Sequence, residues 1–235
     1  MQANFGKTQK LVLTGMFGAI IFLLQFTPLG FPQIPLIGSA TILHIPVIIG
    51  GIMLGPKYGA ILGFMFGFSS LVFASTQSIA LNAFAFTPFR PVPGTGSGSP
   101  WSLLIAFGPR ILVGVVPPLV FMGLIKIFPI IYSKIFANKE PRKCCTLSLT
   151  VAAVAGSLTN TLLVLHLLYF IFREPWSLAR EGAGVAAPQI TYAFIASTIA
   201  VFGVPEAIVA GVVVPVVCLA LFAVSKQFSP IRQGS

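Results

Sequence analysis

This sequence predicts an all-α integral membrane protein of six transmembrane helices with both termini cytoplasmic, and three observations lead there. The 235 residues are 56% hydrophobic and 8% charged, whereas a water-soluble domain carries roughly 25% charged residues. Separated apolar runs, among them 22 phenylalanines, approach the ~20 residues a helix needs to cross a bilayer, which favours a bundle over a barrel. Third, helices beginning near residues 10, 43, 57, 102, 145 and 205 gather Lys7, Lys10, Lys57, Lys126, Lys134, Lys139, Arg142, Lys143, Lys226 and Arg232 on one side. Arg90, Arg173 and Arg180 fall on the other side, and the bias marks the first side as cytoplasmic. The net charge of +10 therefore reads as topology and not as a nucleic-acid surface, since no soluble module or basic face presents it. One membrane domain covers 1–235, with helices at about 10–27, 43–55, 57–74, 101–127, 145–172 and 205–225 and outer loops at 28–42, 75–100 and 173–204.

Taken in order, a short basic start followed by apolar Leu11 to Phe26 could pass for a signal peptide, but only Thr27-Pro28-Leu29-Gly30 follows, so it is read as a retained first helix. Gly15 and Ala19, with Gly18 beside them, form a small-xxx-small face for close helix packing. The second helix is short: fifteen residues from Thr41 to Gly55 span about 22 Å, less than a hydrocarbon core of about 30 Å. His44 at its start reads as a capping or loop histidine. Gly55-Pro56 ends it, because proline cannot continue a helix and restricts its predecessor. In the third helix Gly59, Gly63 and Gly67 recur every four residues, a face that serves either internal packing or the docking of another protein. The long outer segment that follows is aromatic at Phe84 to Pro91 and rich in glycine and serine at Gly94 to Ser99, a composition suited to a lid on a hinge.

Arg110 lies about two and a half turns into the fourth helix, and its insertion costs about 2.5–3.5 kcal/mol, so it should face the bundle interior or a polar cavity. The fifth helix is interrupted by Gly156-Ser157-Leu158-Thr159-Asn160-Thr161, polar residues near the midplane, where Asn160 bonds either a ligand or a neighbouring helix. The apolar block from Ile190 to Val224 is too long for one crossing and too short for two, so Gly203-Val204-Pro205-Glu206 is read as the start of the sixth helix, with Pro205 at its first position and Glu206 on the positive end of its dipole. Residues 190–202 then dip into the outer side.

Several chemistries are excluded. No glycine-rich loop ending in Lys-Ser or Lys-Thr is present, so ATP-driven work needs a partner. There is no aspartate, and the 4 acidic residues are all glutamates, which leaves no paired carboxylates, carboxylate-rich metal site or acidic proton relay. Cys144, Cys145 and Cys218 have no metal-ligand spacing and are read as structural. What remains is a capture subunit that binds a small, anionic solute from the outer side, with a membrane enzyme acting on a lipid and a structural membrane subunit as readings of other classes.

Five motifs, in order, carry a resemblance. Thr41-Ile42-Leu43-His44-Ile45-Pro46-Val47-Ile48-Ile49-Gly50-Gly51, Leu54-Gly55-Pro56-Lys57-Tyr58-Gly59, Phe107-Gly108-Pro109-Arg110-Ile111-Leu112-Val113-Gly114, Gly156-Ser157-Leu158-Thr159-Asn160-Thr161 and Gly203-Val204-Pro205-Glu206-Ala207-Ile208 together resemble the substrate-binding S components of energy-coupling factor (ECF) vitamin transporters. The resemblance covers nearly the whole chain and is nearest to the pantothenate-specific branch. It implies a six-helix bundle in the bacterial cell membrane that captures a vitamin at the outer face. It also implies a membrane scaffold subunit and two cytoplasmic ATPase subunits that use ATP, the bundle itself holding no cofactor and toppling in the membrane to release its cargo. The family's scaffold-docking pair on helix one falls at Gly15 and Ala19, where glycine replaces the usual first alanine; Gly18, Gly59 and Gly63 are further docking candidates. Pantothenate offers one carboxylate, an amide and two hydroxyls, which Arg110 could neutralise and Asn160 and Glu206 could hydrogen-bond, with Arg90 as a second cation. Folate, with its ring system, would instead draw on Trp101 and Tyr192 for stacking.

Overall fold

The computed structural model describes residues 6–30, 33–34, 38–39, 41–76, 83–136, 141–182 and 192–224. They form α1 (Lys7–Gln25), β1 (Gln33–Ile34), β2 (Gly38–Ser39), α2 (His44–Leu54), α3 (Pro56–Thr76), α4 (Trp101–Phe136), α5 (Pro141–Gly182), α6 (Tyr192–Thr198) and α7 (Val204–Val224). The two strands are a minimal antiparallel hairpin, Gln33 opposite Ser39, in the connection from α1 to α2. The remaining elements among the described residues are helical. Five helical stretches are long and apolar enough to cross a membrane, and α2 is the short exception.

Every one of the 11 residues of α2 is buried. A helix about 16 Å long cannot reach across a bilayer, so its ends must be surrounded by protein, and they are: α2 packs against α1, α3, α4, α5 and α7. Ile48, Val47 and Leu54 form the centre of the main apolar core with Leu62 of α3, Val113 of α4, Leu149 of α5 and Val214 of α7. Gly55 adopts φ 97° between α2 and α3, a conformation open to glycine, and Pro56 opens α3.

The glycines of α3 settle against α4. A Cβ on Gly59 would strike the Gly114 carbonyl oxygen, one on Gly63 the Arg110 carbonyl, and one on Gly67 would lie 2.8 Å from the Ala106 carbonyl. Successive turns of α3 therefore meet successive turns of an antiparallel α4 backbone. Gly59 and Gly63 are thus taken by an internal seam and are not available to dock a partner, a correction to the expectation above. Gly18 is likewise occupied, because a Cβ there would overlap the Met65 side chain. Gly59→Ala should force α3 and α4 apart, at a cost of about 1–3 kcal/mol, and lower the apparent melting temperature in detergent, whereas Gly15→Ala, which meets nothing within 4 Å, should leave it unchanged.

Three helix limits differ markedly from those expected. α4 runs past residue 127 to Phe136. α5 does not end near residue 172 but continues to Gly182 past a kink at Phe172 (φ −125°, ψ 29°). Pro175 lacks the N–H that would bond back one turn and its ring crowds that carbonyl, so the chain breaks just before it and resumes. Trp176 and Ala179 of the resumed turn pack on an apolar cluster with Phe84, Ile105, Leu168, Phe172 and Ile195. Nor does a new helix begin at Pro205. α6 passes through a π turn at Ile199–Gly203 directly into α7, making one apolar stretch from Tyr192 to Ala223. The π turn bonds the Val204 N–H back to Ile199, and this wider turn accommodates the proline that follows, so the helix is continued where the sequence suggested a start.

The helix ends sort as the charges suggest. The Lys10 ammonium lies 5.6 Å from the Tyr58 ring centroid, which places the start of α1 beside the α2–α3 turn. Antiparallel packing then brings Lys126 and the start of α5, with Lys143, to this basic end, and α7 descends to it. The side chains of Lys134, Lys139, Arg142, Lys226 and Arg232 lie outside the described residues. Arg90, Arg173 and Arg180 are at the opposite, loop end.

Candidate functional site

At the loop end, residues 83–100 are stitched over the bundle. Ser102 Oγ donates to the Phe84 carbonyl at 2.8 Å, and the Thr87 and Ser75 hydroxyls pair at 2.6 Å, tying the segment to the start of α4 and the last turn of α3. Phe84, Ala85 and Val92 are buried. The glycine-serine stretch expected to be a hinge forms a hydrogen-bonded turn, the Val92 N–H donating to Ser97 at 2.9 Å and the Thr95 hydroxyl to Val92 at 3.0 Å.

Beneath this cover lies Arg110, 8% exposed. Side chains of a helix lean toward its N-terminus, and that of Arg110 does so: Nη1 donates to the Ile105 carbonyl at 2.8 Å. Its guanidinium is held between two rings, 4.9 Å from the Phe86 centroid and 5.5 Å from that of Phe66. Such cation–π contacts partly replace the lost hydration of the charge. Nε nevertheless has no hydrogen-bond partner.

More unsatisfied polar atoms gather at nearly the same depth. Gly156 of α5 lies against Ile48 of α2 and Pro117 of α4, and α5 runs antiparallel to both. One turn toward the loop end, Asn160 is therefore level with His44 and Val113, and Arg110 stands about one turn above. His44 is 1% exposed; it sits near the Thr41 backbone, but neither ring nitrogen attains hydrogen-bond geometry. Asn160 Oδ1 and Ser157 Oγ are also buried without partners. Buried polar atoms are ordinarily paired, since each orphan costs about 1–3 kcal/mol. Polar side chains at about this depth, beside a caged arginine, are suited to a polar, anionic ligand.

Glu206, 8% exposed, bridges the lead into α2 and α5. Its Oε1 accepts from the Thr41 N–H at 2.7 Å and its Oε2 lies 3.5 Å from the Thr161 hydroxyl. Gly203, one turn earlier, permits this approach, as a Cβ there would be 2.9 Å from Thr161 Cγ2. α5 itself runs unbroken through Gly156 to Thr161, in place of the interruption expected there; Gly156 and Ser157 are buried and Leu158 to Thr161 half-buried.

The other expected ligand contacts lie elsewhere. Trp101 is 60% exposed on the outside of the bundle. Tyr192, 58% exposed, pairs its hydroxyl with His166 Nε2 at 3.3 Å and packs edge-on to Tyr169, 5.6 Å between centroids. Arg90 is partly exposed on the covering segment. Phe66, Phe86, His44 and Ser157 lie near the depth of Arg110 and Asn160 without having been singled out as ligand contacts; the aromatic stretch from Phe84, the Thr41–His44 motif and the Gly156–Thr161 motif were the signals that held three of them, Phe86, His44 and Ser157.

The family model for the ECF transporter substrate-specific component matches residues 9–218. The chain belongs to that family. It is therefore a substrate-binding S component, a transport subunit and not an enzyme, and a multi-pass protein of the cell membrane that works with an ECF module. It is also 39% identical over 194 residues to the Pantothenic acid transporter PanT of Lactococcus lactis subsp. cremoris (strain MG1363), a match spanning 81% of this chain and 89% of that protein.

Proposed function

We propose that this S component captures pantothenate at the outer face of the membrane, with Arg110 taking the carboxylate. The supporting observation is the caged guanidinium whose Nε is left without a partner: a carboxylate is the group that both matches its donors and neutralises its charge. About one turn deeper, the orphaned Asn160 Oδ1, Ser157 hydroxyl and His44 nitrogens suit the amide and hydroxyls of the same molecule. The name of the Lactococcus relative supports the choice among vitamins. The basic end, with Lys57, Lys126 and Lys143, is cytoplasmic by its charge, so the covered site faces outward and both termini lie inside.

Delivery then depends on partners. α1 presents Gly15 and Ala19 on an outward face with Leu11, Val12, Met16, Ile20 and Leu23, all exposed on the isolated bundle. This face docks on the transmembrane scaffold, and two cytoplasmic ATPase subunits supply ATP hydrolysis while the bundle topples to release its cargo.

The test is equilibrium binding of radiolabelled pantothenate to the purified chain in detergent, with unlabelled pantothenate, folate, riboflavin, thiamine and biotin as competitors. Displacement by pantothenate alone is expected. Displacement by another vitamin would reassign the substrate.

A further inference from the structure

We propose that Glu206 is a positioning residue, which fastens the lead into α2 onto α7 and so seats His44 in the polar wall, and that it does not itself meet the ligand. The inference rests on the ligand site described above but concerns a contact present without ligand. The Thr41 N–H lies outside any helix or strand, so no ladder or helical turn supplies its partner, and such a donor is ordinarily paired. Glu206 Oε1 is that partner at 2.7 Å, across 165 residues of sequence. On its other side the lead is tied by the Ile42 N–H to the Gly30 carbonyl at 3.3 Å, and the Ile45 N–H returns to Ile42 at 3.0 Å to open α2.

His44 is three residues from the fastened amide, so loosening Thr41 moves the histidine ring relative to Asn160 and Ser157. Glu206 differs from those two in having both carboxylate oxygens directed at protein donors, one of them close. What marks Glu206 as a fastener is that its close bond goes to a backbone N–H outside any helix or strand. What the contact needs is an acceptor at the right reach, not a negative charge. The Thr161 hydroxyl, which can accept as well as donate, would satisfy an amide at 206 equally well.

Two conservative variants separate reach from charge. Glu206→Gln keeps the reach and loses the charge; Glu206→Asp keeps the charge but withdraws the oxygen by about 1.5 Å. Hydrogen exchange at the Thr41 amide is measured on the full chain in detergent without ligand, then pantothenate affinity on the same samples. Glu206→Asp is expected to speed exchange at Thr41 about tenfold and weaken binding by a similar factor, the worth of one hydrogen bond. Glu206→Gln should leave both within about twofold. Binding weakened by Glu206→Gln with exchange unaltered would overturn the proposal and make the carboxylate a ligand contact. Exchange unaltered in Glu206→Asp would overturn it too. Were pantothenate not to bind even the unaltered chain, the substrate reading would fail, while the exchange contrast would still decide the fastening.

Discussion

Arg110→Ala is expected to abolish measurable pantothenate binding while leaving the bundle folded. Removing one partner of a buried, hydrogen-bonded charge pair costs about 2–5 kcal/mol, a loss of roughly 30- to several thousand-fold in affinity. The fold should survive because the guanidinium contributes a single bond to the Ile105 carbonyl and two ring contacts, and because deleting a buried charge also deletes its desolvation cost. Arg110→Lys should recover part of the affinity, as a point charge without the planar fork. Isothermal titration alongside thermal unfolding in detergent checks both halves. Unchanged affinity in Arg110→Ala would move the carboxylate elsewhere, with Arg90 on the covering segment the next cation to test.

Gly15→Leu should do the reverse: binding retained, uptake lost. Nothing lies within 4 Å of a Cβ at Gly15, so on this chain a leucine points into open space and neither the α1 core face nor the site is touched. On the proposed scaffold face, however, the close backbone approach that small residues allow would be prevented by four additional carbon atoms. Pantothenate uptake by cells carrying the variant with its ECF module should fall to background, with the purified variant binding as the parent does. Normal uptake would remove Gly15 from the docking face. The comparison is informative because Gly18, only three residues on, lies against Met65, so a leucine there should harm folding first.

Composition and hydropathy determined the class: with 8% charged residues no water-soluble core was available, and each apolar run had to become a helix because only helices and closed barrels satisfy their backbone in lipid. Charge placement determined which ends of the helices lie together, as the Lys10–Tyr58 contact shows. The length of α2 was legible as well, since a stretch too short to span must be enclosed. Arg110 stood out for the energetic reason that a deep arginine is costly unless something inside the bundle answers it.

Tertiary structure alone decided the rest. Glycines at four-residue spacing read identically whether they meet another helix of the same chain or of another protein; only the positions of the Gly114 and Arg110 carbonyls assign Gly59 and Gly63 to the interior. Pro205 looks like a helix start because proline lacks the donor a helix interior requires, and whether a π turn absorbs that lack depends on packing along α5, where Thr161 meets Gly203. Pro175 lacks the same donor, and there the helix kinks at Phe172 and resumes. Trp101 and Tyr192 were aromatic and near the expected pocket, yet which face of a helix end a ring occupies is set by its neighbours. Glu206 meets Thr41 from 165 positions away, a pairing without any local signal, because a carboxylate and a backbone N–H carry no periodicity that would connect them before the helices have packed.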